Sequence, residues 1–460
     1  MHRATTRITR QATAPGGTMR LLLTMLLCAL PASAGAQATG GIFPFPFHTV
    51  RLDNGFTAYV IPAGAPGQIA FVSMVRTGSR DEVEPGKSGF AHFFEHMMFR
   101  GTERYPNYDG VTAAMGAARN AFTSSDMTVY YLVAASEYLE QIVDLEADRF
   151  RNLRYAEPDF RTEAGAVLGE YQQSATTPFG FLNEKVREAA YDRHTYRHTT
   201  IGFEADVRAM PEGYAYSLDF YRRFYRPENV VLVIAGDVDP ERAAALIRQH
   251  YGAWQPGYAA PDVPAEPPQA ARRARTVEYP GRTLPVLSVN WKGPAWSARD
   301  RLALATEVLG LVAFGPNSDL YRRLVIRDRV VQSLNAGFGP QRDPALLSVT
   351  TTVTDPAQVE SVTAAIRETA ERFQGEPADA KQLADTKRAL KYGFLMGLET
   401  AQSVAFAMIP FVINTGGPEA VEDYYRTLDA ITADDVRAAA RRYLVDTGQT
   451  VVTMVQGGAR

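Results

Sequence analysis

The chain has 460 residues, of which 46% are hydrophobic and 22% are charged, and its formal net charge is −3. This length exceeds what one hydrophobic core usually supports, so two domains of roughly 200 residues each are expected. The nearly balanced charge, without long runs of one sign, argues against a nucleic-acid-binding protein.

The N-terminus carries the pattern of an export signal. Residues 21–34 form an apolar run that is too short to span a bilayer, preceded by Arg20 and followed by small residues that end at Ala36. We predict a signal peptide over residues 1–36 that is cleaved after Ala36, a periplasmic or secreted mature protein, and no stable membrane anchor. An uncleaved anchor is the alternative interpretation of the same run.

The only cysteine, Cys28, lies inside this apolar run. A chain cleaved after Ala36 would contain no cysteine, which excludes disulfides, cysteine zinc ligands and a cysteine nucleophile. Export without disulfides fits a bacterial periplasm or the external medium. The polar stretch before the run leaves open whether the chain starts at Met1 or at Met19.

After this segment, patterns typical of strands and helices alternate. An Asn-Gly pair between two apolar runs predicts a β-hairpin over residues 48–64, because Asn-Gly accepts positive φ. Further patterns predict strands over 69–79, 126–136, 229–238 and 284–293, and helices over 90–98, 136–153, 240–254 and 299–314. A Pro/Ala-rich stretch without an apolar face indicates an interdomain linker over residues 257–276.

This order predicts an α+β fold of two homologous α/β sandwich domains, at residues 44–256 and 277–455. In each domain a mixed sheet would carry helices packed on one face. The second half repeats the strand-then-helix order of the first. That repetition favours an internal duplication, although residue identity between the halves is low.

The stretch AHFFEHMMFRG, residues 91–101, contains two of the seven histidines of the chain. His92, Glu95 and His96 stand at positions i, i+3 and i+4, so a helix presents all three side chains on one face. Two imidazoles can then bind one zinc ion, and a carboxylate beside them can take a proton from water. A pair of core histidines is the alternative, but a chance His-x-x-Glu-His is rare at this composition.

A third zinc ligand is expected from another segment, because two histidines alone bind zinc weakly. Residues 157–173 are predicted as a helix that carries Glu163 and Glu170 two turns apart on one face. A carboxylate on a neighbouring helix can ligate zinc, and a second carboxylate can hydrogen-bond the ligands. Two solvated helix glutamates are the alternative.

Four segments of the sequence resemble the pitrilysin/insulinase family of zinc metallopeptidases, in which His-x-x-Glu-His inverts the common zinc-protease order. They are TGSRDEVEPGKSGFAHFFEHMMFRGTERYP (77–106), NAFTSSDMTVYY (120–131), EAGAVLGEY (163–171) and FYRPENVVLVIAGDVDPE (224–241). The similarity extends over about residues 44–455. It implies homologous domains that close like a clam around unfolded peptides, with this two-domain chain forming half of the chamber.

The resemblance also implies roles for individual residues. The family's zinc ligands match His92, His96 and Glu170, with one zinc ion per chain. Its general base matches Glu95, and an acidic position that supports the site matches Glu163.

Asn120, Ala121 and Phe122 match an edge strand that pairs with the substrate backbone in the family, a mode that gives affinity without strong sequence preference. An ordinary strand end is the alternative for these three residues.

The sequence departs from the family pattern in its second half. Active members carry an Arg and a Tyr, seven residues apart, that reach the substrate across the chamber. These positions correspond to Val325 and Gln332 here. Arg327 and Arg329 offer a shifted register, but neither has a Tyr seven residues farther on.

A zinc site without oxyanion donors loses much of its rate. We therefore predict that the chain is the zinc-bearing subunit of a heterodimer, whose homologous partner supplies the Arg and the Tyr. A homodimer and a diverged, self-sufficient enzyme are alternatives. A non-catalytic scaffold or assembly subunit of the same fold is a further one.

His194 and His198 also stand four residues apart and could imitate a metal-binding pair. They lack a carboxylate at helical spacing, and their Thr-rich surroundings are typical of a loop. No second metal site is therefore expected there.

Overall fold

The computed structural model describes residues 41–64 and 66–458. The predicted signal peptide, its cleavage after Ala36 and Cys28 lie outside the described residues. No single helix in the described part is long and apolar enough to cross a membrane. One bent pair, Ala401–Thr415 and Ala420–Ala430 at 84°, meets the criterion by length and composition.

The strands of the described residues form two sheets. The first sheet contains β1 (His48–Arg51), β2 (Thr57–Pro62), β3 (Gln68–Val75), β4 (Ala118–Thr123), β5 (Thr128–Ala135) and β6 (Val230–Gly236). The second sheet contains β7 (Arg273–Tyr279), β8 (Val286–Lys292), β9 (Val331–Gly337), β10 (Leu346–Val353) and β11 (Gln449–Gln456).

Fifteen α-helices connect and cover these strands within the described residues. Those in the first half are α1 (Phe90–Met97), α2 (Tyr108–Ala114), α3 (Leu139–Asn152), α4 (Glu157–Ala175), α5 (Pro178–Ala190), α6 (Glu204–Ala209), α7 (Tyr214–Phe224) and α8 (Pro240–Tyr251). Those in the second half are α9 (Arg301–Phe314), α10 (Asp319–Tyr321), α11 (Val359–Gly375), α12 (Ala380–Met396), α13 (Ala401–Thr415), α14 (Ala420–Ala430) and α15 (Ala433–Tyr443). A π-helical turn, Arg322–Arg327, follows α10.

The elements predicted from sequence are present, with shifts at their ends. The hairpin over 48–64 forms from β1 and β2, which pair antiparallel, and Gly55 in its turn has a φ of 88°. The apolar run at 229–238 contains β6, every residue of which is buried. The helix predicted over 136–153 begins as a 3₁₀ turn and continues as α3.

The two sheets share one topology. The first has the strand order β1-β2-β6-β3-β5-β4 and the second has β7-β11-β8-β10-β9. In each sheet one pair is parallel, β2 with β6 and β7 with β11, and the other neighbours run antiparallel. Without β1, the orders coincide strand for strand. The predicted α+β fold of two homologous, mixed-sheet domains is therefore confirmed.

Each sheet packs its own helices on one face and a helix of the other half on the opposite face. In the first sheet, β3 and β6 contact α13, whose Val404, Met408 and Val412 are buried in a core shared with both halves. In the second sheet, β7 and β11 contact α5, which buries Leu182 and Val186 there. A fully buried side chain of this kind contributes about 1.5–3 kcal/mol. The exchanged helices therefore couple the two halves.

The predicted linker over 257–276 ends too late. Strand β7 already begins at Arg273 and pairs in parallel with β11. It lies at the edge of its sheet, and Val277 and Tyr279 are its only buried residues. Its first four residues, 273–276, include no buried side chain, so the sequence pattern could not distinguish them from the linker.

Arg329, at the entry to β9, has an unusual backbone conformation. Its φ of 54° is the only positive φ of a non-glycine residue within the described part of the chain, and its side chain is exposed. A left-handed conformation costs a side-chain-bearing residue about 1–2 kcal/mol, part of which is offset by the greater chain entropy of glycine. Arg329→Gly should therefore raise the free energy of unfolding by about 0.5–1 kcal/mol in urea denaturation.

Arg322→Gly is the matched control, because Arg322 is also exposed but lies in the π-helical turn with ordinary φ. It should lower the free energy of unfolding. Equal effects of the two substitutions would contradict the strain at Arg329.

Candidate metal centre

Helix α1 is positioned by its apolar face. It begins after Gly89, whose φ of 94° lies in the left-handed region that favours glycine. The residues that it buries are Phe90, Ala91, Phe93, Phe94 and Met97. His92, Glu95 and His96 occupy the remaining face and are half-buried. The helix therefore anchors itself in the core and presents three polar side chains together.

Glu82 fixes the start of α1 from outside the helix. Its buried carboxylate accepts hydrogen bonds from the backbone N–H groups of Gly89 (2.8 Å) and Ala91 (2.6 Å). Such donors at a helix N-terminus have no partner within the helix. Burial raises the pKa of Glu82 well above its usual value, against the effect of the two hydrogen bonds. Sequence analysis missed this role, for which the only signal was an acidic residue shortly before the motif.

Helix α4 packs against α1 and brings a carboxylate to the two histidines. Glu170 Oε2 lies 3.3 Å from His92 Nε2, and Glu170 Oε1 lies 3.6 Å from His96 Nε2. One potential ligand atom from each of the three residues lies within 4.8 Å of the others. The structure therefore brings together the three residues predicted as zinc ligands, and no other such cluster occurs among the described residues.

Glu163 holds the second histidine from the opposite side. Its carboxylate lies 2.8 Å from His96 Nδ1 and accepts hydrogen bonds from Arg100 at 2.6 and 3.2 Å. The hydrogen bond with His96 and the neighbouring Arg100 keep the pKa of Glu163 below its usual range, against its burial. Burial lowers the pKa of His96, but the bond with Glu163 and the charge of Glu170 outweigh it and raise that pKa.

These contacts bear on which ion the site fits. If Nδ1 of His96 donates to Glu163, its Nε2 lone pair is directed at a Glu170 oxygen, so two acceptors face each other. A metal cation between them resolves this conflict, as does a proton on Nε2, which the raised pKa of His96 favours. Two imidazole nitrogens and one carboxylate are a ligand set that catalytic zinc takes in proteins, so the residues present fit zinc.

Glu95 is placed beside this set rather than within it. Its Oε2 accepts a hydrogen bond of 2.6 Å from the hydroxyl of Thr123, the last residue of β4. The carboxylate is thereby held between the histidines of α1 and the end of β4. Sequence analysis did not assign a role to Thr123, which directly follows the predicted substrate strand.

The predicted substrate residues Asn120, Ala121 and Phe122 lie on β4, which is an edge strand with β5 as its one neighbour in the described sheet. The backbone N–H of Ala121 donates to Asn120 Oδ1 at 2.8 Å. This local bond satisfies the N–H without a second strand. Edge strands with free backbone groups can accept an added strand.

A cavity of about 570 Å³ joins the metal centre to the edge strand. Glu95, His96 and Glu170 line it together with Asn120 of β4. Among the described residues that line it, Arg100 is the one Lys or Arg side chain, and it is already bound to Glu163. The described lining of the cavity thus contains Glu95 and two of the three residues predicted as ligands, His96 and Glu170, but no Lys or Arg side chain that is unengaged.

The positions that lack the family's Arg and Tyr lie in the second half of the chain. Val325 is half-buried in the π-helical turn, and Gln332 is exposed on β9, at the edge of the second sheet. Neither residue lines the cavity at the metal centre.

His194 and His198 have structural partners. His194 Nε2 lies 2.9 Å from Asp343, a residue of the second half that also bonds Arg80. His198 is buried, and its Nδ1 bonds the carbonyl oxygen of Thr199 at 2.9 Å. Burial lowers the pKa of His198 to about 4, so it is neutral near pH 7.

Two family models match this chain. The model described as "Insulinase (Peptidase family M16)" matches residues 65–203, and the model described as "Peptidase M16 inactive domain" matches residues 214–390. The chain belongs to the M16 peptidase family. The first of these matches contains α1, α4 and the whole metal centre.

Three similar proteins align with about nine-tenths of the chain or more. The zinc protease PqqE of Helicobacter pylori is 26% identical over 440 residues, which are 94% of this chain and 97% of that protein. A solved protease from Helicobacter pylori aligns with a TM-score of 0.83 at 24% identity, over 89% of this chain and 99% of its own. The periplasmic protease PqqL from Escherichia coli aligns with a TM-score of 0.73 at 19% identity, over 89% of this chain and 48% of its own.

The contact between Glu82 and α1 generates a stability prediction. Glu82→Gln replaces one acceptor oxygen with an NH₂ group, which leaves a buried backbone N–H without a partner. We expect the free energy of unfolding to fall by about 1–3 kcal/mol. Denaturation in the presence of a metal chelator measures this loss without any contribution from metal binding.

Glu84→Gln is the control, because Glu84 is 34% exposed and bonds Arg223 rather than α1. It should change stability by less than about 1 kcal/mol. A loss as large as that of Glu82→Gln would mean that the loss in Glu82→Gln does not come from the hydrogen bonds between Glu82 and the start of α1.

Proposed function

We propose that this M16 protein is an exported zinc-dependent endopeptidase that cleaves unfolded peptides. The observation that carries the proposal is the convergence of His92, His96 and Glu170 within 4.8 Å, with Glu95 beside them but outside the set. A relative of nearly the same length is named a zinc protease. The predicted signal peptide and the periplasmic PqqL neighbour support a periplasmic or secreted location.

The residues at the site have separate proposed roles. His92, His96 and Glu170 would hold one zinc ion, whose Lewis acidity polarises a peptide carbonyl and acidifies water. Glu95 takes a proton from the attacking water and returns it to the leaving amine. Thr123 orients Glu95 through its hydrogen bond.

Other contacts keep the substrate and the ligands in place. Glu163 and Arg100 fix the ring of His96, which is the usual role of a hydrogen-bonded carboxylate behind a metal-bound histidine. The free edge of β4, with Asn120, Ala121 and Phe122, would pair with the peptide backbone. Backbone pairing suits unfolded peptides, because folded proteins rarely offer an unpaired strand.

Glu95→Gln separates metal binding from catalysis. The variant should retain about one zinc per chain, because Glu95 is not in the ligand set, and should lose peptide hydrolysis by at least about a hundredfold. His92→Ala should lose both zinc and peptide hydrolysis. Metal content by mass spectrometry and cleavage of a quenched peptide library measure the two effects.

Glu103→Gln is the control, because Glu103 is 82% exposed and bonds Arg154 on the surface. It should retain zinc and activity. The alternative is a non-catalytic scaffold subunit. The family model that matches residues 214–390 is described as an "inactive domain", which favours this alternative. A protein without zinc after mild purification, and without hydrolysis in any assembly, would establish that alternative.

We further propose that the chain works with a homologous partner subunit. The cation that lines the cavity is engaged by Glu163, and the positions of the family's Arg and Tyr hold Val325 and Gln332. A partner bearing both residues would supply the missing donors to the developing oxyanion. A homodimer and a self-sufficient enzyme are the alternatives, and the assay must distinguish each of them from the heterodimer.

The purified chain alone should therefore cleave peptides weakly, and adding a homologous chain with the Arg and Tyr should raise kcat by about a hundredfold or more. The partner is sought in the neighbouring reading frame. Removing the Arg from that partner should abolish the gain while the complex still forms, as judged by size-exclusion chromatography. Full activity of the chain alone would contradict the heterodimer.

A further inference from the structure

Strand β7 of the second half holds helix α5 of the first half at both ends. At the C-terminal end of α5, the Arg273 guanidinium donates a hydrogen bond of 3.0 Å to the carbonyl oxygen of Ala189. Carbonyls at a helix C-terminus have no partner within the helix. At the N-terminal end, the buried Tyr279 donates its hydroxyl hydrogen to the carbonyl oxygen of Thr176, and its ring contacts Phe181 with centroids 5.6 Å apart. The second half therefore fixes both ends of α5.

Thr176 belongs to the junction between α4 and α5. It is the C-cap residue of α4. The side chain of the next residue, Thr177, accepts a hydrogen bond of 3.1 Å from the backbone N–H of Gly180 and so caps the start of α5. The bond from Tyr279 therefore also fixes the C-terminal end of α4, the helix that carries Glu170.

A second link joins α4 and α5 directly beside Glu170. Tyr171 is the last residue that α4 buries, and its hydroxyl donates a hydrogen bond of 2.8 Å to Glu184 Oε2 on α5. Glu184 also pairs with Lys185 at 2.8 Å. The sequence neighbour of Glu170 is thus bound to the helix that the second half holds.

Helix α4 has little stability of its own where it carries Glu170. Gly165 and Gly169 lie inside the helix, and a Cβ at either position would meet no heavy atom within 4 Å, so packing does not require glycine there. Glycine inside a helix is destabilising relative to alanine. The side chain of Glu170 is itself 47% exposed. The position of its carboxylate therefore depends on contacts that hold the backbone of α4.

We propose that the second half of the chain positions Glu170 for zinc through α5, with Tyr171 and Tyr279 as positioning residues. This inference rests on the proposed zinc site. Tyr171 holds the segment that carries the carboxylate, and Tyr279 holds the end of the same helix. The half that matches a model described as an "inactive domain" then contributes to the metal centre without supplying a ligand.

The test measures the zinc dissociation constant by competition with a chromophoric chelator, which requires no turnover. Tyr171→Phe and Tyr279→Phe each remove one hydroxyl group. Each should weaken zinc binding by about tenfold, the smaller of the effects that residues behind metal ligands have on affinity. Urea denaturation of the metal-free variants shows which fraction is folded, so that the affinities of folded protein are compared.

Tyr424→Phe is the matched control. Tyr424 and Tyr171 are each 6% exposed, and the hydroxyl of Tyr424 also donates to a glutamate, Glu307, at 2.9 Å. Tyr424 and Glu307 lie on α14 and α9, both in the second half. The substitution should lower the free energy of unfolding but leave the zinc affinity unchanged.

The same two substitutions are then combined with Glu170→Gln in a double-mutant cycle. If Tyr171 and Tyr279 act through Glu170, their effect on zinc affinity should fall below about twofold once that carboxylate is absent. A merely structural role would weaken the remaining binding to the two histidines equally with and without Glu170.

Two results overturn the inference. One is a zinc affinity that Tyr171→Phe and Tyr279→Phe leave unchanged, and the other is a loss that persists in full with Glu170→Gln. Both results leave the proposed peptidase function intact, because wild-type protein still binds zinc. Wild-type protein that binds no zinc would instead reject the proposed function, and this inference with it.

Discussion

The metal centre depends on how rigidly the eight residues of α1 are held. A helix this short has little stability of its own, so its position comes from outside contacts. Its aromatic face packs into the first core, Glu82 bonds its first N–H groups, and Glu163 on α4 holds His96. Thr123 on β4 holds Glu95. Separate segments of the chain therefore fix the proposed ligands and the proposed base relative to each other.

The duplicated topology places a helix of the second half behind the first sheet. Each half packs one helix on the sheet of the other half, so α13 contacts β3 and β6, and its Phe406 contacts Phe122 of the edge strand. The strand whose Thr123 bonds Glu95 is therefore supported by both halves of the chain.

Much of the fold was predictable because its signals are local. Helical spacing places His92, Glu95 and His96 on one face whatever surrounds them, and Asn54-Gly55 between two apolar runs predicts a turn, in which Gly55 takes a positive φ. Strand β6 could be recognised because every residue is apolar and buried. The proposed ligand role of Glu170 needed the family resemblance, since spacing along one helix does not show what the helix faces.

The features that sequence analysis missed are those set by distant contacts. Glu82 is an ordinary acidic residue until the chain folds its carboxylate onto the start of α1. The periodicity of α5 and α13 does not show that each helix packs on the sheet of the other half. An apolar helix has the same sequence pattern whichever sheet it covers. The start of β7 at Arg273 escaped because an exposed edge strand has no apolar pattern.

The proposed function depends on one zinc ion bound between α1 and α4. X-ray absorption at the zinc edge detects the ligands of such an ion in protein loaded with one equivalent of zinc. The spectrum should show two imidazole ligands and a carboxylate oxygen at about 2.0–2.2 Å, with the oxygen contribution altered in Glu170→Gln. Fewer than two imidazoles around the zinc, or a spectrum unchanged by Glu170→Gln, would contradict it.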